Sequence, residues 1–496
     1  MKTLCISLII FGQVHLQTSS SLASEILPNN AVQATYDAHY FDQKLDHFDK
    51  SNNKTWKQRY YYYSELYDQA KKIYPSIPLF LIISGERSVN YGTQTNNSPM
   101  YHLGRDYNAL MMQLEHRYYG ESRPTPNITV ENLKYLSSQQ ALEDIIYFVD
   151  KMKKKFGMKC NNEVVVFGGS YAGALAAWVR LKHPDKISVA QASSAPIANI
   201  YDFAGYNNVV RNSIKLYDEN CASIIHEGSV KEEELTKTEE GLKNMTDKFK
   251  TCRSLTNKND RRAFFQNQID KIGYTVQYNG TLNQSIPATC KLLTGGNETD
   301  SIDKLANYLI ETSGGCTGYD YSDNIKDLRQ TDYTNQNQFR QFLWQECTQL
   351  GLFITSGTKD SFYANTLGVD FYTDRCKDVF GDKFTAEYIK KQVKKTNAYY
   401  GGFNYQQSKC LFTQGQLDPY QAAGIKESND KIGYKALIIE NVGHTRDLNT
   451  ETKDDPPQLV KAREEIKQIL KGWIKAVDFS KQPTNVPSKC QKPQKQ

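Results

Sequence analysis

Val164-Val165-Val166-Phe167-Gly168-Gly169-Ser170-Tyr171-Ala172-Gly173 is the stretch on which the reading of this chain turns. Val164–Phe167 is a continuous run of apolar β-formers, the pattern of a strand buried on both faces. Ala172–Leu181 continues as a helix in which Ala174, Ala176 and Ala177 allow close approach to a sheet. Between the two, Gly168-Gly169-Ser170 must turn sharply, and small neighbours let such a turn close while the Ser170 hydroxyl stands in the open. That is the setting of a nucleophile on a strand-to-helix elbow, whose usual pattern is G-x-S-x-G. Here the fifth position is Ala172, with Gly173 just beyond. A phosphate-binding glycine turn is the competing reading, but neither GxGxxG nor GK[S/T] is present.

Outward from the elbow, short apolar runs alternate with helical patterns, which argues for α/β architecture. Pro78–Ile83 is a candidate strand ending in Ser84-Gly85; Ala109–Leu114 is another, running into Glu115-His116-Arg117; Ile187–Ala192 is a third. Ser138–Phe156 reads as a helix, with a Ser137/Gln140 capping box and Leu142, Ile145, Val149 and Met152 at helical spacing. From about Asp202 to Tyr400 the alternation fades. Glu232–Phe249 is typical of that region: Leu235, Leu242, Met245 and Phe249 share one face of a single charged helix, and its charges read as solvated surface. Strand signals return at Cys410–Thr413 and Ala436–Glu440. A last helix opens at Asp455-Pro456-Pro457, with Asp455 as its cap and Leu459, Ala462, Ile466, Ile469 and Trp473 as its buried face. The simplest organisation is one α/β domain in two pieces, 35–201 and 401–478, with a helical domain at 202–400 inserted between them. Residues 1–23 precede it and a flexible tail, 479–496, follows.

Composition bounds the function. Lys and Arg total 61 against 55 Asp and Glu, so 496 residues carry a net charge of only +6, too little to support nucleic-acid binding as the main role. The 33 Tyr, 21 Phe and 4 Trp can build a core despite a mean hydropathy of −0.63. Met1 to about Ala23 reads as a secretory signal: Lys2, then apolar Leu4–Phe11, then mostly small residues from Thr18. Beyond it no run approaches the ~20 apolar residues that span a bilayer, so no membrane anchor is expected. N-x-S/T triplets at Asn53, Asn96, Asn127, Asn244, Asn279, Asn283 and Asn297 agree with export as glycosylation sites. Six cysteines fall between Cys221 and Cys376, which suggests disulfides stapling the inserted region. Zinc would need paired spacings such as C-x-x-C, and these cysteines stand 26 or more residues apart. The expected route is secreted or lysosomal.

A serine nucleophile needs a base, and the base an orienting carboxylate. α/β-Hydrolases supply them in the order Ser, Asp, His, each after a later strand. Cys410–Thr413 leads through Gly415-Gln416-Leu417 to Asp418, and Ala436–Glu440 leads through Asn441-Val442-Gly443 to His444. The other histidines lie in the signal, before or near the elbow, or in the insert. An oxyanion hole would use the Tyr171 backbone N–H and one from Ser84-Gly85-Glu86. Glu86 is either a substrate contact or a surface acid or N-cap.

At these residues the sequence resembles the serine peptidases that include lysosomal Pro-X carboxypeptidase, dipeptidyl peptidase II and the thymus-specific serine protease. The similar blocks are Phe41–Phe48, Thr55–Tyr60, Glu115–Ser122, Asn132–Ser138, Gly168–Gly173, Trp344–Cys347, Gly415–Pro419 and Gly443-His444, in the same order. The wording at Trp344–Ser356 and Arg375–Gly381 is most similar to the thymus-specific branch. The resemblance implies an α/β-hydrolase fold with an inserted, mainly helical, disulfide-bearing cap. It implies a serine exopeptidase acting beside a proline, with Ser170 as nucleophile, Asp418 as orienting acid and His444 as base. No metal or organic cofactor is implied. Peptides are the expected substrates, and a homodimer is an open expectation. Trp344 and Phe353 in the cap are candidates for the substrate pocket, with core packing the competing role. Arg87 departs from the family, which tends to show Gly there, and Tyr420 replaces a frequent Trp.

Two other readings stay open on the sequence: an esterase or lipase on the same fold, since fold does not set substrate, and a catalytically silent binding protein. Which peptide terminus is trimmed is not legible.

Overall fold

A computed structural model describes residues 37–74, 76–89, 98–333, 338–357 and 361–475. The signal segment, the tail beyond residue 475 and the Asn96 triplet lie outside the described residues.

Along the chain come β1 (His39–Lys44), β2 (Thr55–Tyr63), α1 (Glu65–Ala70), β3 (Leu79–Ile83), α2 (Pro99–Asp106), β4 (Leu110–Leu114), α3 (Ser138–Lys155), β5 (Val164–Gly169), α4 (Tyr171–Lys182) and β6 (Val189–Ser193). Helices α5 (Gly205–Tyr217), α6 (Glu219–Leu235), α7 (Glu239–Lys248), α8 (Lys258–Gln277), α9 (Ile286–Thr294) and α10 (Ser301–Ser313) then begin a helical layer. It continues with α11 (Tyr321–Leu328), α12 (Phe339–Gln345), α13 (Asp370–Phe380) and α14 (Ala386–Tyr400) before β7 (Cys410–Gly415), β8 (Lys435–Ile439) and α15 (Pro457–Trp473). The strands form one sheet in the order β1-β2-β4-β3-β5-β6-β7-β8, parallel from β4 to β8, with β1 and β2 antiparallel at one edge. This is an α/β-hydrolase fold, and helices between β6 and β7 make its cap.

The central strands are apolar throughout because both faces are covered. Leu79, Leu81, Val164 and Val166 face one core, shared with α3, α4 and the cap, while Phe80, Val165, Phe167 and Val189 face the other, closed by α2 and α15. Ala174, Ala176 and Ala177 are fully buried, as close packing of α4 on the sheet requires. Three disulfides staple the cap, Cys221–Cys290, Cys252–Cys316 and Cys347–Cys376; Cys160 is also disulfide-bonded, and Cys410 is a buried free thiol.

Four local expectations change. The region read as one helix from Glu232 is two, because the Thr238 hydroxyl accepts the Gly241 N–H and starts α7 afresh. Glu232 is fully buried rather than solvated. Asp455 does not cap α15, whose N-cap is Pro456; its carboxylate pairs instead with Arg446 and Arg463. Leu470 takes the buried place on α15 expected for Ile469 and Trp473, which are only partly covered.

Candidate active site

Ser170 sits between β5 and α4 with φ 60° and ψ −131°, a conformation that costs a non-glycine residue about 1–3 kcal/mol. Neighbouring backbone holds it there: its N–H donates to the Ser193 carbonyl at 2.9 Å. The flanking glycines are steric necessities. A Cβ on Gly168 would stand 2.1 Å from the Ala172 carbonyl oxygen, and one on Gly173 2.7 Å from that of Ser193. Alanine fits at 172 because the residue opposite is Gly85, whose own Cβ would reach to 3.4 Å of the Ala172 Cβ. Helix α4 points its N-terminus at this turn, and Tyr171, its first residue, has no intrahelical acceptor for its N–H by position.

Asp418 follows β7 and His444 follows β8, both at the sheet edge where β5 delivers Ser170. His444 Nδ1 lies 2.9 Å from Asp418 Oδ2, with Asp418 fully buried and His444 nearly so. The second Asp418 oxygen accepts the Tyr420 N–H at 3.0 Å, so the carboxylate is fixed from both sides. A buried carboxylate sets the tautomer: Nδ1–H donates, and Nε2 keeps a lone pair. Ser170 and His444 line one open cleft of about 1010 Å³. The His444 loop also docks on the cap, its N–H donating to the Gln277 carbonyl at 2.8 Å; a Cβ on Gly443 would stand 2.6 Å from that oxygen.

Asp447, which the sequence did not single out, ties this loop to the sheet. Its buried carboxylate accepts the Gln191 amide at 2.9 Å, the Thr413 hydroxyl at 2.7 Å and the Ser193 hydroxyl. Beside it the Thr445 N–H donates to the Ser194 hydroxyl at 2.8 Å.

The loop after β3 is held by a second buried acid. Glu115 takes the Arg59 guanidinium through both oxygens and the Val89 N–H at 2.9 Å, while Arg59 also donates to Ser88 Oγ and the Val89 carbonyl. Gly85 and Glu86 are thereby kept against the elbow. Behind it, His116 Nδ1 lies 2.7 Å from the Arg117 carbonyl, and burial pushes its pKa down to about 4. The neutral ring therefore offers Nε2 to the Tyr171 hydroxyl at 3.3 Å, and that hydroxyl accepts the cap's Gln345 amide at 2.8 Å. Gln345 and Glu115 lie in blocks quoted above; nothing in local pattern assigns them these partners.

Ser170 also borders a second, narrow apolar pocket, lined by Tyr171, Trp178, Pro196, Phe342, Leu350, Leu352 and Tyr420 together with Glu86. Trp344 and Phe353 are not among the described residues lining it. They pack in the cap interior, Trp344 edge-on to Phe380 and Phe384, Phe353 stacked on Tyr372. Arg87 lines the open cleft beside Tyr278 and His444. Of the sequons, Asn53, Asn244, Asn283 and Asn297 are exposed, whereas Asn127 and Asn279 are half-buried and hydrogen-bonded.

Comparison with known proteins agrees across nearly the whole chain. Residues 43–466 match the family model described as serine carboxypeptidase S28. A Caenorhabditis elegans protein named for serine protease activity is 32% identical over 92% of this chain and 91% of its own length. The mouse thymus-specific serine protease is 29% identical over 94% of this chain and 92% of its own. The human lysosomal Pro-X carboxypeptidase is 28% identical, with the same two coverages, 94% and 92%.

Proposed function

This chain belongs to the serine carboxypeptidase S28 family and is a serine peptidase, and we propose that it is an exopeptidase cutting beside a proline near a peptide terminus through Ser170, His444 and Asp418. The observation that carries the reading is one cleft containing a serine on a strained elbow and a histidine oriented by a buried aspartate. In this mechanism His444 Nε2 takes the Ser170 proton as Oγ attacks the carbonyl carbon, and Asp418 stabilises the imidazolium that forms. The Tyr171 N–H and one from Gly85-Glu86 hold the oxyanion. His444 then protonates the leaving amine, and water repeats the sequence on the acyl-enzyme.

The apolar pocket beside Ser170 supports the proline preference: it is small, and aromatic and aliphatic on its walls. The cap that closes it supports action at chain ends. Disulfides in the cap support an oxidising compartment, as expected for a secreted or lysosomal protein.

Mass spectrometry of products from peptides with proline second from either end, at pH 5 and pH 7, tests the reading against a Ser170→Ala blank. Release of one residue or one dipeptide beside the proline supports it. Cleavage only of short-chain esters moves the assignment to an esterase, and folded protein that does not react with a fluorophosphonate moves it to a silent scaffold.

A further inference from the structure

The two spaces flanking Ser170 are chemically unlike, and the difference bears on which terminus is trimmed. A leaving amine must lie on the His444 side, because His444 has to protonate it. The residues that share the open cleft with His444 are Arg87, Met100, Tyr278, Thr445, Leu448 and Asn449, among others. Arg87 is the one lysine or arginine among the described residues lining that cleft, and it is absent from the lining of the apolar pocket on the acyl side. Its side chain is hydrogen-bonded to Tyr278, and Glu86 and Tyr274 lie within electrostatic reach. The residue keeps solvent-exposed surface, so it is open to a ligand while standing among cap and sheet residues. Tyr278 comes from the end of α8, the same cap segment on which the His444 loop docks.

We infer that Arg87, supported by Tyr278, binds the free α-carboxylate of the residue released by this enzyme, which makes the chain a carboxypeptidase that removes one residue after proline. The inference rests on the exopeptidase reading above and adds the terminus to it. A guanidinium matches a carboxylate in shape and charge, and a carboxylate at this place belongs to a one-residue leaving group. Longer leaving groups would set a neutral amide against Arg87. Met100 and Leu448 favour an apolar side chain on that residue. Glu86 borders both spaces, so it can oppose the carboxylate or draw a free amine on the acyl side; that is the alternative the experiment separates.

The test compares acetyl-Ala-Pro-Phe with its C-terminal amide, and free-amine Ala-Pro-Phe-Ala, on wild type, Arg87→Gln and Arg87→Lys. Wild type is expected to prefer the free acid, and Arg87→Gln to lose that preference by roughly 10- to 100-fold, the scale of one hydrogen bond to a charged group. The loss should lie mainly in KM, with Arg87→Lys intermediate. An unchanged acid-to-amide ratio in Arg87→Gln, or release of Ala-Pro from the free-amine peptide in preference to Phe from the acetylated acid, overturns the inference. If no peptide is cut, the exopeptidase reading fails separately. The carboxylate site is then read by protection of Ser170 from a fluorophosphonate: at least tenfold better protection by the acid than by the amide supports it, and equal protection overturns it.

Discussion

Ser193 and Asp447 are joined by a hydrogen bond from the serine hydroxyl to the aspartate carboxylate, and the same Ser193 accepts the Ser170 N–H through its carbonyl. One residue at the end of β6 thus braces Ser170 on one side and the loop carrying His444 on the other. Ser170 and His444 are 274 positions apart in sequence, and this brace sets their relative position through the sheet.

Ser170→Ala and His444→Ala should each lower turnover by about three to six orders of magnitude, the range seen when members of such a triad are removed. The folded protein should be unaffected by circular dichroism and thermal melting. An active, folded Ser170→Ala protein would refute the assignment of the nucleophile.

Asp447→Asn keeps the shape but removes the charge that three buried donors share. Hydrogen bonds to charged groups contribute about 1.5–3 kcal/mol each, so a loss of roughly 2–4 kcal/mol is expected. Because the His444 loop is anchored there, kcat should fall at least about tenfold in protein that remains folded at 20 °C. Denaturant melts with kcat measured on the same preparation check both; a fall in stability with kcat unchanged would show that the brace is structural only.

Gly168→Ala places a methyl group 2.1 Å from the Ala172 carbonyl oxygen, backbone against side chain, with no flexible group to yield. The elbow must open, so fluorophosphonate labelling of the variant should be lost. Gly157→Ala, where a Cβ meets nothing but the φ is +70°, serves as the comparison and should label normally while losing about 1 kcal/mol of stability.

Stability should fall as pH rises from 6.5 to 8. Burial pushes Glu232 and Asp270 up to about 8 and Glu346 up to about 7, so the native protein holds protons that the unfolded chain releases above its ordinary carboxyl range. Their stabilising contribution is present at low pH and lost as pH passes these values, at up to about 1.4 kcal/mol per pH unit for each group. His116 acts the other way: burial holds it near 4, the unfolded ring takes a proton below about 6.5, and stability is lost as pH falls between those values. Above 6.5 the carboxyls dominate, and Lys153 and Lys271, which burial lowers to about 8, oppose the decline only near the top of that window. Glu232→Gln, far from the cleft, should flatten the decline, and a melting temperature that rises from pH 6.5 to 8 would contradict the argument.

Several elements were legible because their signals are local. The α3 N-terminus is one: the Ser137 hydroxyl accepts the Gln140 N–H as its pattern predicts. The return bond of a capping box is not made, since Gln140 uses its amide on His47 and Asp46 instead. Strands β3 to β8 follow apolar runs within a residue or two. Strands β1 and β2 carried no such run: Gln43 is the buried position of β1, and in β2 buried Trp56, Gln58 and Tyr60 alternate with exposed Lys57 and half-buried Arg59. The break before α7 did have a local signal in Thr238-Glu239-Glu240, a cap followed by acids, which the longer helical periodicity concealed.

By itself the sequence determined the α/β layout, the elbow at Ser170 and the order Ser170, Asp418, His444, because each depends on residues adjacent in the chain or on the order of strands in one sheet. Only the tertiary structure decided that Asp447 braces the His444 loop, that Trp344 and Phe353 belong to the cap interior, that Glu232 is buried, and that Arg87 stands beside Tyr278. Those outcomes depend on which surfaces meet when the cap closes on the sheet. A charge or a ring carries the same local signature whether it faces solvent, a packed core or a substrate; the partner across the interface makes the difference, and it comes from a distant part of the chain.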